Sequence, residues 1–171
     1  IIELARCAAG RFVGGPGFVA VFSSGLMGSV SGSSVANTVS TGVITIPLMR
    51  KAGFPARFAA GVEAAASTGG QLMPPVMGAG AFIMASYTQV SYLTIISVAA
   101  LPALLYFLSV AMFVRIEAKR SHAVKLEDDE APTLTDVLKD GWHFLLPLVV
   151  LVAALVYGFT PTYAAGIAIL S

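Results

Sequence analysis

The stretch Ser31-Gly32-Ser33-Ser34-Val35-Ala36-Asn37-Thr38 lies in the middle of an apolar block, Phe12 to Met49, that contains no charged residue. A second charge-free block, Ala64 to Val114, is interrupted in the same way by residues 67–75, which read Ser-Thr-Gly-Gly-Gln-Leu-Met-Pro-Pro. Neither run favours a continuous helix, and lipid excludes unpaired backbone groups unless protein or a polar cavity covers them. Two such interruptions at membrane depth predict a binding site built from the ends of half-helices.

The composition indicates an integral membrane protein. The chain is 57% hydrophobic and 11% charged, with a mean hydropathy of +0.85, which is outside the range of soluble globular domains. Its charged residues fall in three islands, 3–11, 50–63 and 115–140, that divide membrane blocks from aqueous loops. The net charge of +1 forms no basic track for a nucleic acid. The single cysteine, Cys7, predicts packing rather than an internal disulfide.

The apolar blocks predict an all-α membrane fold. The first block holds two arms of about 15–17 residues, short of the roughly 20 that a full crossing needs. We therefore predict a re-entrant helical hairpin over 14–50, with two short tilted spans as the alternative. A broken helix is predicted over 56–88, interrupted at 69–75, because Pro74 and Pro75 remove two backbone donors.

The remaining segments are predicted from length and charge. Residues 91–120 predict one long helix with a kink at Pro102. Two predicted crossings separate the basic clusters at 50–57 and 115–120, so both clusters face the same side, which the positive-inside rule makes cytoplasmic. Residues 121–141 predict an aqueous loop that contains either a short interfacial helix, beginning near Thr133, or an irregular linker. Residues 142–171 predict a further span, anchored at Trp142, and the start of another. The non-Met first residue and the apolar end predict a piece of a longer chain.

Exposed helix ends offer two kinds of ligand. An N-terminus capped by Ser33 or Ser34 presents amide N–H groups to an anion such as a carboxylate. Carbonyls near Ser31 and Gly32, with the side chains of Ser33, Ser34, Asn37 and Thr38, supply oxygen ligands suited to an exchangeable monovalent cation such as sodium. The alternative for any one of these small residues is close helix packing or a hydrogen bond to its own helix.

Acid–base chemistry has little support in the sequence. Glu63 lies roughly two turns after Arg57, which favours a salt bridge or a snorkelled position near the cytoplasmic interface over an intramembrane proton relay. His143 fits an interfacial anchor better than a catalytic base. No metal-ligand spacing, nucleophile with a paired base, or phosphate-cradling loop is present, so we expect no enzyme and no bound cofactor.

Three segments carry a resemblance to a known family. Residues 31–38, 42–49 (Gly-Val-Ile-Thr-Ile-Pro-Leu-Met) and 70–78 (Gly-Gln-Leu-Met-Pro-Pro-Val-Met-Gly) resemble the large membrane subunit, or permease, of TRAP transporters. The similarity is greatest to the branch whose small and large membrane subunits are fused and whose periplasmic binding protein is of TAXI type. It covers essentially the whole chain. Val76 stands where many dicarboxylate-type members have serine, so no hydroxyl is expected there.

The resemblance implies an elevator-type secondary transporter in the bacterial or archaeal inner membrane. Residues 1–90 would form part of a mobile transport domain and 91–120 a scaffold or connecting helix. The implied partners are a TAXI-type periplasmic binding protein and a small membrane subunit or its fused equivalent. The implied sodium ligands are Ser31, Gly32, Ser33, Gly69, Gly70 and Pro74. The implied substrate-binding residues are Ser34, Asn37, Thr38 and Thr68.

The expected function is sodium-coupled import of a small organic anion, with a dicarboxylate, an amino acid and a sugar acid all compatible. A carboxylate transporter without a binding protein and a channel with glycine-rich breaks along its pore are alternatives. A purely structural membrane subunit would leave both breaks without a purpose. The second hairpin and sodium site of the family architecture are not within this sequence.

Overall fold

The computed structural model describes residues 5, 14–74, 76–123, 146–147 and 149–169, and every regular element in these ranges is an α-helix, as the sequence predicts. The predictions that involve Cys7, Thr133, Trp142, His143 and most of the loop at 121–141 lie outside the described residues. The helices are α1 (Gly15–Ser31), α2 (Ser34–Lys51), α3 (Ala56–Gly70), α4 (Ala79–Thr88), α5 (Tyr92–Arg120), α6 (146–147 and 149–156) and α7 (Pro161–Ile169).

The first interruption separates α1 from α2 at Gly32 and Ser33. Gly32 has a left-handed backbone (φ 64°) and its N–H donates to the Gly28 carbonyl at 2.9 Å, which ends α1. Ser33 is the N-cap of α2, since its hydroxyl accepts a hydrogen bond from the Ala36 N–H at 3.3 Å. Of the two predicted caps, Ser33 and not Ser34 performs this role. The two helices pack against each other along the chain reversal.

The second interruption begins slightly later than predicted. The outer bounds of α3 and α4 match the predicted 56–88, but Gly69 and Gly70 are the last residues of α3 and not part of the break. The loop 71–78 starts with a tight turn in which the Leu72 N–H donates to the Gly69 carbonyl at 2.9 Å. The Gly78 N–H closes the loop by donating to the Gln71 carbonyl at 2.9 Å. Helix α3 therefore continues as far as Gly70. It ends there because proline lacks a backbone N–H and disfavours helix in the residue before it.

Helix α5 is the only described helix that is both long and apolar enough to cross a bilayer. Its 29 residues correspond to about 44 Å, whereas α1 and α2, with 17 and 18 residues, are about 26 Å long. It lies close to α1 because glycines face it. A Cβ on Gly17 would stand 2.5 Å from Val114, and one on Gly25 would stand 2.8 Å from the Phe107 ring.

Two apolar clusters organise the packing. The first joins α1, the end of α2, α3 and the C-terminal half of α5 around residues that include Val21, Met49 and Val114. The second joins α4, the start of α5, α6 and α7, and here the Tyr92 ring stacks on Phe82 with 4.7 Å between ring centroids. The first cluster holds α1, α2 and α3 together, and the second interruption contributes Met77 to the second cluster.

Candidate cation and anion site

The two helix interruptions are in direct contact. The Gln71 side chain, in the second loop, donates a hydrogen bond from Nε2 to the Gly32 carbonyl, in the first, at 2.8 Å. A Cβ on Gly32 would stand 3.2 Å from the Met77 carbonyl oxygen and 3.3 Å from the Cα of Gly78. The carboxyl end of α1, the amino end of α2 and the carboxyl end of α3 are therefore gathered in one place.

Helices α1 and α3 touch through their backbones near this place. A Cβ on Gly70 would lie 2.6 Å from the Cα of Gly28, and a Cβ on Gly28 would lie 2.7 Å from the Cα of Gly70. These are distances that real Cβ atoms do not adopt, so only glycine fits at either position. The mutual contact brings backbone carbonyls of two helix ends close to each other.

Asn37 carries a buried oxygen without a partner. The residue is 1% exposed, and its Nδ2 donates to the Ser24 carbonyl at 2.7 Å. That bond fixes the amide orientation, because the reverse orientation would place two acceptors against each other. The Oδ1 atom has no hydrogen-bond partner within the described residues. Leaving a buried acceptor unpaired costs about 1–3 kcal/mol, so a cation or a donor at Oδ1 would stabilise this arrangement.

The amino end of α2 leaves backbone donors free. The N–H groups of Ser34 and Val35 form no hydrogen bond within the part of the chain that the structure describes. They lie at the positive end of the α2 dipole and on the side of the molecule where Val35 is 74% exposed. This helix end can accept a negatively charged group such as a carboxylate.

A polar cluster lies two turns of α3 below the glycine contact. Glu63 is fully buried, and its carboxylate Oε1 is 2.6 Å from the Ser24 hydroxyl, 2.5 Å from the Thr41 hydroxyl and 3.2 Å from the Ser67 hydroxyl. Its Oε2 is 2.5 Å from the Thr45 hydroxyl. The carboxylate thus connects α1, α2 and α3.

The favoured sequence interpretation of Glu63 is wrong. A salt bridge or a snorkelled position requires either a cation or access to the interface, and the described residues contain no ion pair with Glu63 and leave it 0% exposed. The sequence interpretation rested on the spacing between Arg57 and Glu63 along α3. In the structure, α1 and α2 pack against the face of α3 that carries Glu63. Hydroxyl groups, and not a guanidinium, surround the carboxylate.

A comparison with protein families identifies the chain. The family model for the DctM component of tripartite ATP-independent periplasmic transporters matches residues 1–171. The chain belongs to the DctM family. It is therefore part of a TRAP transporter permease, a class of membrane transport protein, which confirms the family that the motifs around the two interruptions indicated.

Curated relatives of this DctM chain carry several substrate names. It is 32% identical over 173 residues to the C4-dicarboxylate TRAP transporter large permease protein of Pseudomonas aeruginosa, covering 98% of the chain and 39% of the relative. It is 28% identical over 168 residues to the sialic acid TRAP transporter large permease protein of Vibrio cholerae, with 98% and 39% covered. A 2,3-diketo-L-gulonate TRAP transporter large permease protein of Escherichia coli is 27% identical over 169 residues, again with 98% and 39% covered. The chain thus spans about two fifths of the length of these relatives.

The structure brings three of the six predicted cation ligands of this DctM chain together. Gly32, Ser33 and Gly70 lie where the two interruptions meet. Gly69 faces the other way, since a Cβ there would stand 2.3 Å from the Tyr106 ring of α5, so its missing side chain serves helix packing. Ser31 uses its hydroxyl to accept the Ser33 N–H at 3.4 Å, and Pro74 lies in the second loop.

The predicted substrate residues also differ from one another. Ser34 lies at the open amino end of α2. The hydroxyl groups of Thr38 and Thr68 donate to carbonyls of their own helices, those of Ser34 and Ala64, each at 2.8 Å. Asn37 uses one amide hydrogen on the Ser24 carbonyl, and its buried oxygen has no partner within the described residues.

Sequence reasoning missed the Gln71 bridge and the Glu63 cluster. Thr41 and Thr45 are four residues apart on α2, and Glu63 and Ser67 are four apart on α3, which puts each pair on one helix face. That spacing was the available signal. The packing of the two faces against each other depends on the tertiary fold.

Proposed function

We propose that the full-length protein is a sodium-coupled secondary transporter of the bacterial or archaeal inner membrane that imports a small organic anion. A periplasmic binding protein of TAXI type delivers the anion, and a small membrane subunit, fused or separate, completes the permease. Helices α1 to α4 belong to a body that moves as an elevator, and no catalytic step occurs. The observation that supports this function most is the direct contact of two helix interruptions, with a buried, unpaired acceptor, Asn37 Oδ1, in the first turn of α2.

In this proposal the cation binds at the meeting point of the interruptions. Asn37 Oδ1 is buried, unpartnered and an acceptor, which fits an alkali cation and does not fit a carboxylate. Backbone carbonyls at the ends of α1 and α3, including those of Gly32 and Gly70, supply further oxygen ligands, as unwound helix ends do in other transporters. Asn37 is therefore assigned to the cation and not to the substrate, the role that the family resemblance implied.

The anion binds at the amino end of α2. The free N–H groups of Ser34 and Val35 are donors, and the helix dipole adds partial positive charge. The hydroxyl hydrogens of Thr38 and Thr68 are already bonded within their helices, so they contribute less to this site. The named substrates of three relatives, a C4-dicarboxylate, sialic acid and diketogulonate, are all organic acids, which supports a carboxylate here.

A sodium-dependent thermal shift tests the cation site without a substrate. Purified full-length protein is melted in sodium chloride and in choline chloride. We expect sodium to raise the unfolding temperature, because a ligand at 100 times its Kd stabilises the folded state by about 2.7 kcal/mol. The sodium increment should be lost in Asn37→Ala and kept in Gln89→Leu, which removes an exposed side-chain amide elsewhere. An equal sodium increment in Asn37→Ala and the wild type would overturn the assignment.

Uptake in proteoliposomes tests the coupling. The full-length permease, with its periplasmic binding protein, is supplied with a radiolabelled C4-dicarboxylate, sialic acid or diketogulonate. We expect saturable uptake of one of these acids that follows an inward sodium gradient. Uptake that is indifferent to the sodium gradient contradicts sodium coupling, and flux that does not saturate favours a channel.

A further inference from the structure

Glu63 is a buried carboxylate that has no cationic partner among the residues the structure describes. It lies among α1, α2 and α3, with α5 packed against α1 and α3. Helix α1 carries no charged or titratable side chain. The charged and titratable groups of the other three helices form no ion pair or hydrogen bond with Glu63 in the described ranges; they are Arg50, Lys51, Arg57, Tyr92, Tyr106, Arg115, Glu117, Lys119 and Arg120.

Hydroxyl groups compensate for the missing cation. An isolated ionised carboxylate in a low-dielectric interior costs several kcal/mol unless hydrogen bonds offset the lost hydration. Each of the four surrounding hydroxyls has one hydrogen to donate. When Glu63 is ionised, Ser24, Thr41 and Ser67 donate to Oε1 and Thr45 donates to Oε2, at the distances of 2.5–3.2 Å given above. Every hydroxyl hydrogen is then used on the carboxylate.

The same atoms also satisfy a neutral carboxylic acid. The Thr45 hydroxyl lies 3.0 Å from the Thr41 carbonyl oxygen, a second acceptor for its hydrogen. With a proton on Oε2, Glu63 donates to the Thr45 oxygen and Thr45 rotates its hydrogen to that carbonyl. The three donors to Oε1 remain in place. The two protonation states therefore differ by the rotation of one hydroxyl and leave no polar group unpaired.

We propose that Glu63 is a proton-binding site inside the α1–α3 packing, with the Thr45 hydroxyl as the switch between its two states. The step forms one O–H bond on Oε2 and breaks one O–H bond of a hydronium ion from bulk solvent, which is left as a water molecule. Neither the cation site nor the anion site proposed above uses Glu63. If α1 to α3 move as a body, a consequence that rests on the proposed function, the bound proton moves with them.

Infrared difference spectroscopy on the full-length protein tests proton binding directly. Spectra are recorded between alkaline and acidic pH on protein carrying ¹³C-labelled glutamate. We expect the carbonyl band of a buried protonated carboxyl to be present at acidic pH in the wild type and in Glu117→Gln, and to be lost in Glu63→Gln. The Glu117 carboxylate has no hydrogen bond in the described residues and serves as the matched control. A band that persists unchanged in Glu63→Gln overturns the proposal.

A second variant keeps the carboxylate and tests the switch. Thr45→Val preserves side-chain shape and removes both the donor to Oε2 and the acceptor for its proton. We expect the carboxyl band to shift to higher frequency, whereas Thr88→Val, which removes a hydroxyl from α4, leaves the band in place. An unshifted band in Thr45→Val contradicts the role of Thr45. These spectra require neither sodium nor substrate, so they test proton binding independently of transport. If the carboxyl band is present but uptake does not depend on sodium, the proposed transport mechanism is refuted and the proton site is not.

Discussion

Replacing Gly70 by alanine tests whether α1 and α3 meet through their backbones. The new Cβ would lie 2.6 Å from the Cα of Gly28 and 3.1 Å from the Ser24 carbonyl oxygen. Because non-bonded carbons prefer about 3.5–4.0 Å, the two backbones must separate by about 1 Å. Overpacking of this kind costs about 1–3 kcal/mol. A backbone cannot rotate away as the end of a flexible side chain does, so the strain is not relieved locally.

Gly61→Ala, on the same helix, is the matched control. A Cβ on Gly61 would meet no atom within 4 Å, so this substitution changes only helix propensity, by about 0.8–1.0 kcal/mol in favour of alanine. The two variants should then differ by about 2–4 kcal/mol in stability. The measurement is thermal unfolding of the purified full-length protein. The readout is the fraction of the protein that remains monodisperse after heating to each temperature. If Gly70→Ala melts at or above the temperature of Gly61→Ala, the close contact at Gly28 is refuted.

Three further predictions concern single hydrogen bonds. Ser33→Ala removes the cap of α2 and should destabilise the protein by about 1 kcal/mol, while Ser33→Asp retains its melting temperature; equal losses would refute capping. Tyr106→Phe removes the bond from its hydroxyl to a backbone carbonyl of α3, at 2.9 Å, and should cost about 0.5–1.5 kcal/mol in the same melt, against no change for Tyr87→Phe. Gln71→Leu should speed amide hydrogen exchange in the loop after α3 where Gln89→Leu does not, and unchanged exchange would show that the bridge to α1 is dispensable.

Much of the helix layout follows from local chemistry. The bounds of α5 were predictable because polar residues end the preceding segment and a basic cluster ends the helix. The predicted outer bounds of α3 and α4 also match, since Pro55 and the polar run after Thr88 mark them. The start of the second interruption was predicted too early, because Gly69 and Gly70 are tolerated in a helix where their missing side chains allow close packing.

The site depends on contacts that local patterns do not encode. The family resemblance assigned Asn37 to the substrate, yet the Ser24 carbonyl of α1, thirteen residues away in sequence, accepts a hydrogen bond from its nitrogen, and its oxygen has no partner within the described residues. Glu63 was placed by helical rise from Arg57, but its environment is set by hydroxyls of two other helices. Spacing along the sequence shows which residues share a helix face. Which side chains of other helices they contact depends on how the helices pack.

The hydroxyl-lined pocket around the acidic side chain of α3 has a consequence for biogenesis. A lone carboxylate near the centre of a helix raises the free energy of insertion by about 2.5–3.5 kcal/mol on translocon scales. Three of the four hydroxyls that offset this cost belong to α1 and α2, which leave the ribosome before α3. Insertion of α3 is therefore more favourable when α1 and α2 are already beside it than when it enters the bilayer alone.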